Sequence, residues 1–106
     1  MEVTDADFEE KVIKASKKKV IVVDFWADWC VPCTMLGPVL EKAVASYKGK
    51  VVLAKINTDQ NPEKADEYNI TAIPAVKIFK NGEIVAEFIG VLPEEVIKAN
   101  IDKALQ

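Results

Sequence analysis

Blocks of consecutive apolar residues alternate along this chain with segments whose apolar positions recur every three or four residues. Residues 20–25 and 51–56 are nearly all apolar and rich in β-branched side chains, a pattern typical of strands buried on both faces of a parallel sheet. Two further apolar runs, Ala75–Lys80 and residues 84–89, flank the dipeptide Asn81-Gly82. Because Asn-Gly favours two-residue turns between strands, these runs predict a β-hairpin.

Helical periodicity precedes and follows the first strand. A first helix is predicted over residues 5–15, with Thr4 as its N-cap. The lysines at 17–19 then interrupt the apolar pattern, and we interpret them as a solvated helix end and turn. A second helix is predicted after the first strand, and Gly37-Pro38 should bend it because proline removes a helical hydrogen bond.

Two more helices are predicted in the second half of the chain. Asn61 is expected to cap a short helix over Pro62–Glu67, and Pro93 opens the last helix. The three longer helices each carry an apolar stripe that should face the core, and the stripes comprise Phe8, Val12 and Ala15; Leu36, Leu40, Ala43 and Tyr47; and Ile97, Ile101, Ala104 and Leu105.

The order of these elements predicts an α/β protein. After the first helix the order is β-α-β-α-β-β-α, and a further short strand can precede that helix. A strand, a helix and a strand in succession imply a right-handed parallel crossover, whereas the hairpin adds antiparallel pairing. We therefore expect a central mixed β-sheet of four to five strands, flanked by helices on both faces. A chain of 106 residues predicts one domain, residues 1–106.

Charge and composition exclude several classes of function. The net charge of −3 argues against general binding of nucleic acid or an anionic membrane. The chain has no arginine for bidentate phosphate binding and no histidine to act as a base or metal ligand. No apolar run is long enough to span a membrane. The acidic N-terminus lacks an export signal pattern, so we expect a cytoplasmic protein.

Cys30 and Cys33 are the only cysteines, and they are separated by two residues. This spacing fits a structural disulfide, a metal site shared between two subunits, two unreactive buried thiols or a redox pair. A structural bridge across so short a loop would add only about 2 kcal/mol, and a metal site needs about four ligands. The pair also lies where a strand ends and a helix begins, so the helix N-terminus favours a thiolate at Cys30. Redox chemistry is therefore the favoured interpretation.

The chain resembles the thioredoxin family over essentially its whole length, in the order and the spacing of its motifs. The stretches that carry the resemblance are 23–30, Pro32-Cys33, Gly37-Pro38, Asn57, 59–62, Ile73-Pro74, 79–82 and Gly90. A Cys-x-x-Cys pair near a βαβ unit is itself thioredoxin-like, and the additional motifs make the resemblance specific.

The resemblance implies roles for four residues. Cys30 would be the attacking thiol and Cys33 the resolving thiol, while Asp24 would be a buried carboxylate that assists proton transfer at Cys33. Desolvation in an apolar strand should raise the pKa of Asp24 and suit it to act as a base; alternatively, it lies at the strand end and reaches water. Lys55 matches a family lysine near that carboxylate, although it also fits an ordinary surface lysine.

The resemblance also implies a flat apolar surface that binds an extended substrate segment. Ile73-Pro74 would be a cis peptide beside the Cys pair, with the Ile73 backbone presented to the substrate by β-addition. Trp26 instead is expected to pack beneath the loop. The expected substrate-binding residues are Trp29, Val31, Pro32, Ile73, Pro74, Gly90 and Val91.

Three positions depart from the family pattern. Val31 stands where glycine is usual, which stiffens the turn and adds apolar bulk beside Cys30. Thr34 replaces a basic residue, and Ala72 replaces a frequent glycine. We expect activity to persist and partner choice to shift, while the redox potential of the family does not transfer directly.

The function that follows from the resemblance is that of a thiol–disulfide oxidoreductase, a protein-disulfide reductase that carries electrons. It implies a thioredoxin reductase as electron donor, disulfide-containing proteins as substrates, a monomer, no metal and no cofactor besides the dithiol. Two other functions stay open, which are a disulfide isomerase or oxidase and a non-catalytic subunit that uses the fold to bind a partner.

Overall fold

The computed structural model describes residues 1–106. It has a four-stranded sheet and three α-helices, of which the first and the third contact the strands. The strands are β1 (Val20–Trp26), β2 (Val51–Asn57), β3 (Ala75–Lys80) and β4 (Glu83–Ile89). The helices are α1 (Val31–Ala45), α2 (Pro62–Glu67) and α3 (Glu94–Leu105).

The strand order is β2-β1-β3-β4, so β1 is a central strand and β4 an edge strand. Strand β1 pairs in parallel with β2 and antiparallel with β3, and β3 pairs antiparallel with β4. Asn81 and Gly82 have positive φ angles of 54° and 81° in the tight β3–β4 turn. The predicted mixed sheet, parallel crossover and hairpin are therefore confirmed.

Two apolar layers form because successive side chains of β1 point to opposite faces of the sheet. Val20 and Val22 pack with residues of α1 and α3, whereas Val23 and Phe25 pack with residues such as Phe8 from the N-terminal segment. All five of these side chains are buried. Both faces of the sheet are thus covered, as the continuous apolar run in β1 predicted.

The N-terminal helix is shorter than predicted and is not an α-helix. A π-helical turn spans Glu9–Lys14 and a 3₁₀ turn spans Ala15–Lys17. Thr4 does have the predicted local contact, since its hydroxyl oxygen accepts from the backbone N–H of Asp7 at 3.3 Å. The predicted additional strand is reduced to a single parallel bridge, in which Glu2 lies opposite Lys55 of β2.

Helix α2 has the predicted bounds but a different cap. The Asn61 side chain makes no cap hydrogen bond to α2, and its amide instead donates to the backbone oxygen of Asn57 at 3.0 Å. Asp5 provides the cap, because its carboxylate accepts from the backbone N–H groups of Glu63 at 3.1 Å and Lys64 at 2.9 Å. Asn61 is therefore the N-cap residue of α2, as predicted, but the side chain that caps the helix is that of Asp5.

Two apolar positions of the longer helices differ from expectation. Tyr47 lies beyond the end of α1, but it still packs against the core as predicted, and its hydroxyl donates to the carboxylate of Asp102 at 2.7 Å. Leu105 is 38% exposed at the end of α3 rather than buried. Pro38 lies inside α1 without ending it.

Candidate active site

Strand β1 and helix α1 together place the two cysteines. A short loop follows β1, and Cys30 is the N-cap residue of α1 with extended backbone angles of φ −88° and ψ 104°. Pro32 lies in the first helical turn, where a missing backbone N–H costs no helical hydrogen bond. The Sγ atoms of Cys30 and Cys33 are joined in a disulfide, and their Cα atoms are 5.3 Å apart.

The N-terminus of α1 provides polar contacts to the Cys30 sulfur. The backbone N–H of Cys33 donates to Cys30 Sγ at 3.2 Å. This donor is one of the N–H groups that a helix leaves free in its first turn, where the helix dipole is also positive. In the reduced protein, the same contacts favour a thiolate at Cys30.

Burial limits the access of water to the cysteines. Cys30 is 3% exposed and Cys33 is 4% exposed, and they form a small cluster with Ala27. Trp26 and Ile73 pack against this cluster, so the prediction that Trp26 packs beneath the loop is confirmed. The disulfide is therefore almost completely shielded from solvent.

Asp24 lies in the middle of the sheet on the row that faces α1 and α3. It is fully buried, and neither carboxylate oxygen has a hydrogen-bond partner. Desolvation therefore raises the pKa of Asp24 from 3.8 to about 6, although the positive charge of Lys55 acts in the opposite direction. The negative charge of Glu2 raises this pKa further. The alternative in which Asp24 reaches water is wrong.

Lys55 points towards the interior of the site. It lies opposite Asp24 in the β1–β2 register, and its Nζ is 5.2 Å from the centre of the Trp26 ring. A Cβ atom on Gly37 would lie 3.6 Å from this Nζ, so the glycine leaves room for the ammonium group beside α1. The structure therefore brings Lys55 and Asp24 together, as expected, and Lys55 is not an ordinary surface lysine.

The residues of the expected apolar surface differ in exposure, and among them Ile73 packs against the cysteines. Trp29 and Val31 are 69% and 68% exposed, and Val91 is also exposed. Ile73 and Gly90 are half-buried, whereas Pro74 is buried. Pro32 is exposed in the first turn of α1.

The Ile73–Pro74 segment has the expected geometry. Its peptide bond is cis, and the backbone N–H of Gly90 donates to the Pro74 oxygen at 2.8 Å. This contact joins the loops before β3 and after β4, so both loops lie on the same side of the site.

Two residues of the site were not assigned a role from the sequence. The indole N–H of Trp29 donates to the Asp59 carboxylate at 2.8 Å, which holds the ring beside the cysteines. Asp59 belongs to a stretch that matches the family, and this match is the signal that could have found it. Met35 is 59% exposed one helical turn after Val31, and therefore extends the apolar surface along α1.

No group of three or more His, Cys, Asp or Glu side chains is arranged to hold a metal ion. None of the helices has the length and apolar character needed to cross a membrane. The chemistry that the site can perform with its own atoms is the exchange of a dithiol for a disulfide. The site contains a sulfur that accepts a hydrogen bond from the helix N-terminus, a second sulfur one turn later and, in β1, a buried carboxylate of raised pKa.

Comparison with known proteins agrees with this chemistry. The thioredoxin family model matches residues 1–103. The chain is 43% identical to Thioredoxin 2 of Chlorobaculum tepidum over 102 residues, covering 96% of this chain and 92% of the relative. It is also 43% identical to a thioredoxin of Staphylococcus aureus over 105 residues, covering 99% of this chain and 97% of the relative. With this site and these relatives, the chain belongs to the thioredoxin family of thiol–disulfide oxidoreductases.

Proposed function

We propose that this protein is a general protein-disulfide reductase in which Cys30 is the nucleophile and Cys33 the resolving thiol. The observation that carries the proposal is the contact from the Cys33 N–H to Cys30 Sγ at 3.2 Å. It makes Cys30 the sulfur that the helix N-terminus stabilises as a thiolate. The second sulfur, on Cys33, lies behind it in the first turn of α1.

The reaction proceeds by two successive exchanges. The Cys30 thiolate attacks one sulfur of the substrate disulfide, forms a mixed disulfide and releases the other substrate sulfur as a thiolate. Cys33 then loses its proton and attacks Cys30 Sγ, which breaks the mixed disulfide and releases the second substrate thiol. Two electrons pass to the substrate, and the Cys30–Cys33 disulfide remains.

Asp24 acts as the base in the second exchange. Its pKa of about 6 lies near neutral pH. The Asp24 carboxylate can therefore accept the proton that Cys33 loses, and it can also hold that proton, because it is not fully ionised at every cellular pH. Lys55 is a positioning residue, because its charge limits how far burial raises the pKa of Asp24.

The apolar surface formed by Trp29, Val31, Ile73 and Val91 receives the substrate segment, with Pro32 and Gly90 at its borders, and the buried Pro74 contributes its cis peptide bond with Ile73. The Ile73 backbone pairs with an extended substrate chain beside the disulfide. Such a surface discriminates little between substrates of different amino-acid sequence. It therefore supports action on many disulfide-bearing proteins.

A thioredoxin reductase is the proposed electron donor, since the oxidised pair must regain two electrons after each cycle. The dithiol carries these electrons, so we propose no bound cofactor or metal. The reaction needs a reducing compartment, which supports the cytoplasm as the location. We further propose a monomer with one domain over residues 1–106, which leaves the apolar surface free for substrates.

The test is the reduction of insulin by dithiothreitol. The parent protein should accelerate it, and Cys30→Ser should abolish the acceleration, because serine cannot form the mixed disulfide. Cys33→Ser should instead accumulate a mixed disulfide with the substrate. Thr34→Ser, an exposed neighbouring position, is the matched control and should keep full activity. Equal activity of Cys30→Ser and the parent would refute the proposal.

The midpoint potential of the pair distinguishes a reductase from an isomerase. A reductase should equilibrate with glutathione or dithiothreitol at about −270 mV, whereas an isomerase lies at about −180 mV. A partner that stays bound to Cys30→Ser without any exchange would instead indicate a non-catalytic binding subunit.

A further inference from the structure

A basic cleft lies at the end of the sheet opposite the cysteines. It has a volume of about 590 Å³, and no Asp or Glu side chain lines it. A protein with a net charge of −3 therefore concentrates positive charge at one end. Its basic lining residues are Lys17, Lys18, Lys19, Lys48, Lys50 and Lys80.

The sheet topology explains why these lysines meet. Strands β1 and β2 are parallel, so both begin at the same edge of the sheet, and β3 runs antiparallel and ends there. Five of the lysines precede β1 or β2, and Lys80 ends β3. The cysteines instead follow the C-terminal end of β1. With seven residues in β1, the two sites are about 20 Å apart.

Ordered backbone fixes the positions of the lysine-bearing segments. Lys48 and Gly49 have positive φ angles of 52° and 87°, which form a tight turn before β2. The backbone oxygen of Ser16 accepts from the N–H of Asn81, and its hydroxyl accepts from the N–H of Gly82, both at 2.7 Å. The segment before β1 is thereby joined to the β3–β4 turn.

The lysines of the cleft form no ion pair with an Asp or Glu side chain. Five lysines elsewhere on the surface form ion pairs with Asp or Glu, but none of the six in the cleft does. Lys80 donates to the backbone oxygen of Gln106 at 2.8 Å. Six like charges around one concavity repel each other, so a bound anion of high charge would stabilise this end of the fold.

The lining restricts the chemistry of the ligand. It contains no aromatic residue on which a nucleobase could stack. Its two apolar residues are the buried Val20 and the partly exposed Leu105, which are too few to anchor a protein segment. Lysine ammonium groups act as separate point charges, and these suit an anion whose charge is spread along several phosphates. The volume lies in the range of small-ligand sites.

We propose that this cleft binds a phosphate chain with three or more negative charges, either inorganic or the triphosphate of a nucleotide. Binding occurs at the end of the sheet away from the cysteines. It therefore does not obstruct the exchange reaction.

Isothermal titration with sodium tripolyphosphate at low ionic strength tests the proposal. Lys48→Gln/Lys50→Gln should weaken binding about tenfold, because two of the charges facing the anion are lost. Lys42→Gln/Lys98→Gln removes the same charge outside the cleft and is the matched control, with an expected change of about twofold or less. Insulin reduction should be unchanged in both variants. Equal weakening in the two variants would overturn the proposal, since it would show a general charge effect.

Other anions define the ligand class. Orthophosphate should bind at least about tenfold more weakly than tripolyphosphate, because it presents fewer charges. ATP that binds as tightly as tripolyphosphate would identify a nucleotide triphosphate as the source, and weaker ATP binding would identify an inorganic chain. A penta-glutamate peptide that binds more tightly than tripolyphosphate would overturn the assignment to phosphate.

Discussion

Asp24 is a carboxylate that is fully buried without a hydrogen-bond partner, and it is therefore costly when ionised. The neighbouring Lys55 offsets only part of this cost, since the pKa of Asp24 still rises to about 6. The residue that would serve best as a base near neutral pH is therefore also one that destabilises the fold there.

The stability of the folded protein should consequently depend on pH through Asp24. Its folded pKa of about 6 lies above the unfolded value of 3.8, so the folded state binds more protons between these values and stability falls as pH rises through this window. Asp24→Asn removes the dependence and should be more stable than the parent at pH 7 by about 3 kcal/mol, with little difference near pH 4.

Urea unfolding of the oxidised protein at several pH values between about 4 and 7 measures this difference. Asp66→Asn, on exposed α2, is the matched control and should lack the pH-dependent gain. A gain for Asp24→Asn that is the same at every pH would contradict the assignment to Asp24.

Glu2 is a second residue whose charge reaches the site. Its register places it next to Lys55, which in turn lies opposite Asp24, so three charged side chains occupy one row across neighbouring strands. Because Glu2 raises the pKa of Asp24, Glu2→Gln should lower it. The pH dependence of the Asp24 carboxyl carbon resonance gives this pKa directly.

A matched control for this substitution is Glu83→Gln, which neutralises an exposed carboxylate on β4, outside this row. Glu83→Gln should leave the pKa of Asp24 unchanged. High salt should also reduce the effect of Glu2→Gln, since Glu2 is exposed and its charge is screened. A higher pKa of Asp24 in Glu2→Gln would show that the charge of Glu2 does not act on Asp24 in this way.

At the scale of elements, the short helix α2 depends on a residue far away in sequence. The Asp5 carboxylate caps the N-terminus of α2 by accepting from the backbone N–H groups of Glu63 and Lys64. The backbone N–H of Asp5 in turn donates to the Asn61 side chain at 2.8 Å. The segment before the first helical turn and α2 therefore stabilise each other.

Removal of this cap should destabilise the protein measurably. Asp5→Ala should lower the free energy of unfolding by about 1 kcal/mol, up to about 2, and increase amide hydrogen exchange in α2. Asp5→Asn should recover only part of the loss, since its amide oxygen can replace just one of the two carboxylate oxygens that accept from α2. Undiminished protection of α2 in Asp5→Ala would show that the cap is dispensable.

The same element shows where inference from the sequence ends. The strands were predictable because short, continuous β-branched runs fit few structures besides buried strands, and the cysteines because the strand-to-helix junction follows directly from those runs. The side chain that caps α2 was not predictable, because a contact between Asp5 and Glu63 leaves no local pattern in the sequence. Asn61 has the right residue type in the right place, but a tertiary contact takes its side chain elsewhere.

At the site, the strand pattern and the family motifs favoured burial of Asp24, whereas they left Lys55 equally consistent with a surface position. The contact between Trp29 and Asp59 was not predictable, because it joins two loops whose relative position depends on the whole sheet. The lysines at 17–19, considered alone, indicate only an ordinary solvated turn. The topology is what shows that two other basic segments lie beside them.

At the scale of the molecule, the mixed sheet separates two ends of different chemistry. Three strands bring the lysines to one edge, and the carboxyl end of β1 leads to the cysteines at the other. The net charge of −3 is an average over the chain and does not give the charge of either end. If both proposals hold, apolar protein segments and phosphate chains bind at opposite ends of this protein and do not compete.

The position of β4 at the sheet edge bears on self-association at high concentration. An open edge offers free backbone groups to the edge of another copy, which is a common start of aggregation. If two β4 strands paired antiparallel about Val85, Glu83 of each copy would face Glu87 of the other. Like charges directly opposite each other destabilise such pairing, so these two glutamates disfavour the growth of a continuous intermolecular sheet.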